Sequence, residues 1–286
     1  MNSIGWRVAK VAAVAVIVVW SLAPIALGIS TSVSTQREVN AVPTRWVPHH
    51  PTLKAYRDLL EGTSASAQAG GTVTEAGTFE RAMKNSAIIT LAATSLVLVA
   101  ATMSAYAFGR LRFRYGQVVM SVLIGTMIVP IFVIVIALFK LMANAHLIDT
   151  KRGLVLVFLA TLTPLATWLL YTQVREMPVE PEEAALIDGC RRWQAFVRIV
   201  IPQMSSGIAA VAAILALSVW GEFLIPLLLT STMNATPVTV LITQYVGKYT
   251  TKYPILAAAG VLALIPPAVL ALVLNKRITG MLAGSS

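Results

Sequence analysis

Few side chains in this chain of 286 residues are of a type that does chemistry, and their spacing excludes most of it. His49 and His50 are neighbours whose side chains point apart in an extended loop, His146 stands alone, and no spacing among the three fits a metal. Cys190 is the single cysteine, so no internal disulfide can form, and its setting suits a small buried residue rather than a nucleophile. There is no Gly-x4-Gly-Lys-Ser/Thr phosphate loop and no His-Glu-x-x-His. The chain is therefore expected to perform no covalent step and to bind no metal or cofactor itself. Two acidic features remain, one in a charged island at residues 176–204 and one, Glu222, alone in an apolar run.

In the island, Pro181 stands where a proline opens a helix at low cost, and Glu182 and Glu183 follow in the first turn, where the helix dipole favours acids. Ala184, Ala185 and Asp188 continue the helix, and Gly189 falls where a left-handed cap would end it. A second helix then places Trp193, Phe196, Val197 and Val200 on one face, with Arg191, Arg192 and Arg198 largely off it, until Pro202 stops it. The expectation is helix, sharp turn, helix, held against a membrane surface, with the arginines at lipid headgroups or between helices. An acidic and apolar tip of this kind suits a groove on a partner protein.

Glu222 lies sixteen residues beyond Ser206, about 24 Å along a helix. An ionisable group at such depth is a functional candidate. Pro226 would free the carbonyl of residue 222, giving two acceptors at one level beside the aromatic face of Trp220. That combination fits a hydroxylated ring. A gate or subunit-interface acid fits it equally, and Asn85 joins Trp220 and Glu222 as a candidate on the same path.

The elements that must position these residues are membrane helices. With 57% hydrophobic and only 12% charged residues, the chain carries about half the charge of a soluble domain. Six apolar runs are long enough to cross a bilayer, at roughly 10–30, 84–109, 117–142, 153–173, 206–231 and 254–275. The first has Arg7 and Lys10 ahead of it, but it is too long for a signal core and lacks a clear cleavage pattern, so it is taken as a retained span. Pro130, Pro164, Pro226 and Pro266-Pro267 are expected to break four of the six, exposing carbonyls that must face protein or water.

A net charge of +10 does not point to nucleic acid, because the basic residues sit at helix ends and in loops rather than in one stripe. The short turn Arg110 to Arg114 faces the cytoplasm by the positive-inside rule, which puts both termini and the acidic island on that side. The organisation that follows is a tail and first helix (1–30), an external loop (31–83), a core of five helices (84–275) and a cytoplasmic tail (276–286). Within the external loop, residues 62–77 form a Gly/Ser/Thr/Ala tract too polar to offset its ordering entropy, and they are expected to be flexible and dispensable.

The order Glu183-Ala184-Ala185, Gly189, Ile199-Val200-Ile201-Pro202 resembles the cytoplasmic loop signature of permease subunits of binding-protein-dependent ABC importers. Asn85-Ser86, the run Ser104 to Phe113, Pro130 and Trp220 to Pro226 resemble the carbohydrate-importer, maltose-permease-like branch. Gly221 and Glu222 depart from the usual Trp-Asn-Asp-Phe, and Ile201 replaces the usual Leu. The resemblance implies an all-α integral membrane protein with six transmembrane helices in a bacterial inner membrane. It implies a second homologous permease, two copies of a cytoplasmic ATPase that holds ATP and Mg, and an external solute-binding protein as partners. It further implies that Glu182, Glu183, Ala184, Ala185, Asp188, Gly189 and Pro202 belong to a coupling loop docked on that ATPase. Two alternatives stay open: an ABC permease for a non-sugar solute, and a secondary transporter, which would call for more intramembrane carboxylates than Glu222 and for an internal repeat.

Overall fold

The computed structural model describes residues 3–42, 46–61, 77–111, 114–246 and 251–283, without side chains at 3–5 and 274–283. Among the described residues the regular structure is all helical, apart from one isolated bridge, Val246 to Thr251. Four helices are long and apolar enough to cross a membrane, or six spans if each of two bent pairs counts as one. The chain forms two compact units, residues 1–81 with 241–265, and residues 82–240 with 266–286.

In the first unit, α1 (Ser3–Ser32) continues unbroken through Pro24, and its apolar side chains are exposed over its length. That is the surface of a helix that meets lipid or another subunit, not a soluble core. Two short helices, α2 (Gln36–Val39) and α3 (Lys54–Glu61), fold the following loop back onto its end. The Ser32 hydroxyl meets the Tyr56 phenol at 2.7 Å, and the Thr52 amide donates to the Val33 carbonyl at 2.8 Å. Glu38 organises this loop. It closes a capping box with Thr35, and its other oxygen accepts the His49 and His50 amides at 3.0 and 3.1 Å.

Those bonds, the Thr35 amide above all, hold the Glu38 carboxyl down at about 2, against the opposing pull of burial. A carboxyl lowered in this way contributes its full stabilisation above its ordinary value of 4.5 and loses it as pH falls toward 2. Glu38→Gln is therefore expected to raise amide exchange over residues 35–50 at neutral pH and to flatten its acid dependence. An unchanged exchange profile would remove Glu38 from this role. The tract at 62–77 lies, apart from Gly77, outside the described residues.

The second unit is built on α4 (Thr78–Arg110), α7 (Lys151–Glu176) and α11 (Ser205–Gly221). One core cluster joins Val97, Ala101 and Ala105 of α4 to Leu170 and Val174 of α7 and to Val211 and Leu215 of α11. A second, toward the other end, joins Ile89 and Ala93 to Phe158, Val219, Ile225 and Leu229. Close approach is set by small residues. A β-carbon on Gly109 would stand 2.5 Å from a methyl of Val174.

Only one of the expected proline breaks has the expected form. Helix α5 (Gly116–Gly125) tightens to a 3-10 turn at Thr126–Ile128, and α6 (Ile131–Asn144) leaves Pro130 bent by 100°. Val129 is extended, as the residue before a proline prefers. Helix α7 instead runs unbroken through Pro164, and α14 (Tyr253–Ala283) through Pro266 and Pro267. Around Pro164 the hydroxyls of Thr161 and Thr163 bond back to the carbonyls of Val157 and Leu159, which supports a continuous turn. The run at 206–231 is not one helix either. Helix α11 stops at Gly221, and α12 (Leu224–Leu229) follows, with Pro226 in its first turn, where it costs no helix bond.

Candidate functional site

The charged island folds as α8 (Glu180–Ile187), α9 (Arg192–Ala195), a π-helical turn at Phe196–Val200 and α10 (Ile201–Gln203). Glu180, Glu182 and Glu183 fill the first turn of α8, with Pro181 at its second position. The helix ends in a double-bonded left-handed cap. The Cys190 amide donates to the Ala185 carbonyl at 2.9 Å and the Gly189 amide to Leu186 at 3.2 Å, with Gly189 at φ +89°. Cys190 itself is half-buried.

A β-carbon at Gly189 would meet nothing within 4 Å, so only the backbone angle demands glycine. Gly189→Val is expected to cost roughly 1–2 kcal/mol through that angle alone and to open the 188–191 turn to protease. Gly189→Asn should cost much less and Cys190→Ala almost nothing. Equal melting temperatures in all three variants would show that the turn tolerates another backbone path.

The two neighbouring acids have opposite fates. Glu183 is exposed, with Ala184, Ile187 and Asp188 beside it, while Glu182 and Ala185 turn inward. Positions 183, 184, 187 and 188 form one stripe at helical spacing, acidic at its edges and apolar between. Glu182 reaches α4. Tyr106 donates its phenolic proton to one carboxylate oxygen at 2.6 Å, and Nε of Arg110 lies 3.3 Å from the other, an ion pair without hydrogen-bond alignment. Arg110 also donates to the carbonyls of Met177 and Pro178, the residues that lead into α8, at 2.9 and 3.3 Å. The free tip is thus locked to a core helix by a buried acid and two residues one helical turn apart.

Sequence reasoning groups Glu182 with the outward residues and gives Tyr106 and Arg110 no role. A signal for the lock exists all the same: a phenol and a guanidinium at i and i+4, at the last apolar turn of a span, require an acceptor once buried.

The second half of the island corrects a further expectation. Phe196 and Val200 are buried, but Trp193 and Val197 are exposed. The five residues of the π turn advance more slowly than an α-helix, so the expected apolar stripe divides. Pro202 does not stop the helix. It sits inside α10, and the 73° bend comes at Met204. Pro202 lacks an amide proton, so the regular bond to Arg198 cannot form, and the Ile201 amide bonds the Phe196 carbonyl, five residues back, in place of Val197.

The remaining candidates stand at the opposite end of the unit. Both acceptors at residue 222 are engaged. The carboxylate caps α12 by accepting the Leu224 and Ile225 amides at 3.0 and 3.4 Å, and the carbonyl accepts the hydroxyl of Thr239 in α13 (Val238–Gln244) at 3.0 Å. Trp220 is half-buried. Asn85 is buried and donates to the carbonyls of Met233 and Thr236, while the Ser86 hydroxyl accepts the Val238 amide. Asp149, at φ +57°, fastens the same loop by accepting the amides of Ser231 and Thr232 and the Thr232 hydroxyl. Burial pushes its carboxyl up, but the bonds from Thr232 and Ser231 prevail and hold it low. Among the described residues no group of three His, Cys, Asp or Glu could hold a metal ion.

Residues 98–280 match the family described as binding-protein-dependent transport system inner membrane component. The chain is 27% identical to the sulfoquinovosyl glycerol transport system permease protein SmoH of Agrobacterium fabrum, over 95% of this chain and 91% of that one. It is 30% identical to the trehalose transport system permease protein SugB of Mycobacterium tuberculosis, over 72% and 77%. Its fold matches a chain in the crystal structure of a bacterial ABC transporter involved in the import of the acidic polysaccharide alginate, with a TM-score of 0.79 over 95% of both chains and 19% identity.

Proposed function

Because the chain belongs to the family of binding-protein-dependent transport system inner membrane components, we propose that the exposed stripe of α8 is the surface through which a cytoplasmic ATPase drives it. The chain is a permease subunit of an ABC importer, a membrane transport protein and not an enzyme. The observation that carries the docking reading is the split of the acid pair, Glu183 outward and Glu182 locked to Tyr106 and Arg110. A surface offered to a partner and anchored from behind can transmit a displacement.

In this reading Glu183, Ala184 and Asp188 meet the ATPase, while Glu182, Ala185 and Gly189 hold the tip in shape and Pro202 shapes the bend behind it. ATP and Mg stay on the ATPase, two copies of which serve this chain and a second, homologous permease. Closure of the ATPase dimer displaces α8, the buried lock carries α4 with it, and the bend at Met204 lets α11 turn against α8. ATP does this only by favouring the outward-open state over the inward-open one. The termini and α8 lie on the cytoplasmic side, in keeping with the Arg110–Arg114 turn.

The solute is a carbohydrate or related polyol delivered by an external binding protein, a reading supported by relatives named for a sulfoquinovosyl glycoside and for trehalose. Trp220 and Glu222 border its path, and Asn85 positions the neighbouring loop. Glutamine at 222 keeps an acceptor for the α12 amides and removes only the charge. Glu222→Gln is thus expected to leave the complex assembled and to lower uptake at limiting solute. Normal uptake in Glu222→Gln together with lost assembly in Glu222→Ala would leave the residue a helix cap only.

The whole reading is tested by reconstituting the importer with its binding protein and measuring ATP hydrolysis against a panel of glycosides, disaccharides, oligosaccharides and non-sugar solutes. Stimulation by one sugar is expected. Stimulation by an amino acid or phosphate alone would replace the solute class, and transport without bound ATPase would overturn the assignment of α8.

A further inference from the structure

Between the end of α4, the start of α5 and the first turn of α8 at Glu183 lies a half-open cavity of about 1080 Å³. Among the described residues its charged lining is three guanidiniums, Arg110, Arg114 and Arg192, against one carboxylate, Glu183. Arg110 is committed to Glu182 and to two carbonyls. Arg114 and Arg192 make no ion pair among the described residues, and Arg114 rests over the Tyr115 ring at 5.5 Å. Tyr171 and Gln117, each with a neutral donor group, also line it. The first amides of α5 also open here, because Tyr115 offers no side-chain cap.

Two free guanidiniums, neutral donors and open helix amides suit a phosphate. The rest of the surroundings says what carries it. Val118, Val119 and Val122 continue from the cavity along α5 and are exposed, at 61%, 45% and 63%. Tyr115 and Trp193 flank the cavity, each 60% exposed, as aromatic residues do at a membrane boundary. A free anion would leave that apolar track bare, whereas a phospholipid would cover it with its acyl chains. An acidic protein segment would satisfy the arginines but would gain nothing from the valines.

We propose that this cavity binds the phosphate of an anionic phospholipid, with the acyl chains along α5, and that the lipid wedges the start of α5 against the first turn of α8. It ties the coupling tip to the membrane surface beside the Glu182 lock, through two arginines that the lock does not use. The free arginines supply the headgroup's counter-charge, and their removal should weaken binding and its salt sensitivity together.

The test uses the assembled importer in nanodiscs of zwitterionic lipid with and without phosphatidylglycerol, which gives the surface a negative potential. Lipid that survives gentle delipidation is counted by native mass spectrometry. Wild type is expected to retain phosphatidylglycerol, and Arg114→Gln/Arg192→Gln to lose most of it, with the Lys/Lys variant keeping an intermediate share. Solute-stimulated ATP hydrolysis should rise several-fold with phosphatidylglycerol in wild type and not in the Gln/Gln variant. Three results would overturn the proposal. One is equal lipid retention in both proteins. Another is displacement of the lipid effect by millimolar inorganic phosphate, which would make the ligand a free anion. The third is loss of the ATPase from the Gln/Gln complex in detergent, which would make the cavity a protein contact.

Discussion

Glu182→Ala is expected to abolish solute-stimulated ATP hydrolysis and to lower the melting temperature of the complex, while Glu183→Ala leaves that temperature unchanged and sheds the ATPase. The neighbouring acids separate because one is buried against α4 and the other is exposed. Alanine at 182 removes the acceptor of the Tyr106 phenol and the counter-charge of Arg110, whose side chain is 9% exposed. Breaking a buried pair from one side costs about 3 kcal/mol, because the remaining charge has no water to turn to. The Met177 and Pro178 carbonyls moderate this cost, but they cannot neutralise a guanidinium. Glu182→Gln keeps an acceptor for Tyr106 and should fall between. Scanning calorimetry and stimulated hydrolysis on the same preparations decide the matter. Glu182→Ala with wild-type values for both would show that α8 needs no anchor on α4.

The second large effect is expected at Gly109. An alanine β-carbon there would stand 2.5 Å from Cγ1 of Val174 and 3.2 Å from its Cβ. Valine is stiff about its first torsion, and Val174 is fully buried, so the side chain cannot swing away. The helices must part instead, at a cost of roughly 1–3 kcal/mol. Gly109 immediately precedes Arg110, so the displacement falls on the Glu182 lock and should impair coupling as well as stability. Val174→Ala in the Gly109→Ala background restores the space and should recover most of both. Recovery of stability without coupling would place the two effects on separate contacts.

The amino-acid sequence makes legible whatever depends on local chemistry. The apolar runs require spans because no soluble arrangement hides so much hydrocarbon, and Gly189 permits its turn because its neighbours could not adopt it. The bend at Pro130 follows from one ring. What stays illegible depends on partners distant in the chain. Glu182 turns inward because Tyr106 and Arg110 wait more than seventy residues upstream. The carboxylate of Glu222 is taken up by a helix start that no propensity marks, and its carbonyl by Thr239. Pro164 and Pro266-Pro267 suggest breaks, yet α7 and α14 stay continuous there. Trp193 is exposed, though its ring still meets Phe196, just ahead of Phe196–Val200, where the regular period of 3.6 fails.

That short failure of period makes the island sensitive to chain length. Each residue added to or removed from an α-helix rotates everything beyond it by about 100°. The π turn at Phe196–Val200 is one residue of slack inserted between the α8 tip and α11, and it sets their relative phase. Losing that residue would relax the wide turn to an ordinary one, a local gain, yet it would rotate α9 against α11 and strain the Gly189 turn that joins α9 to the anchored tip of α8. The segment thus stands to tolerate many exchanges of side chain and almost no change in count, like a gear tooth whose material matters less than its position.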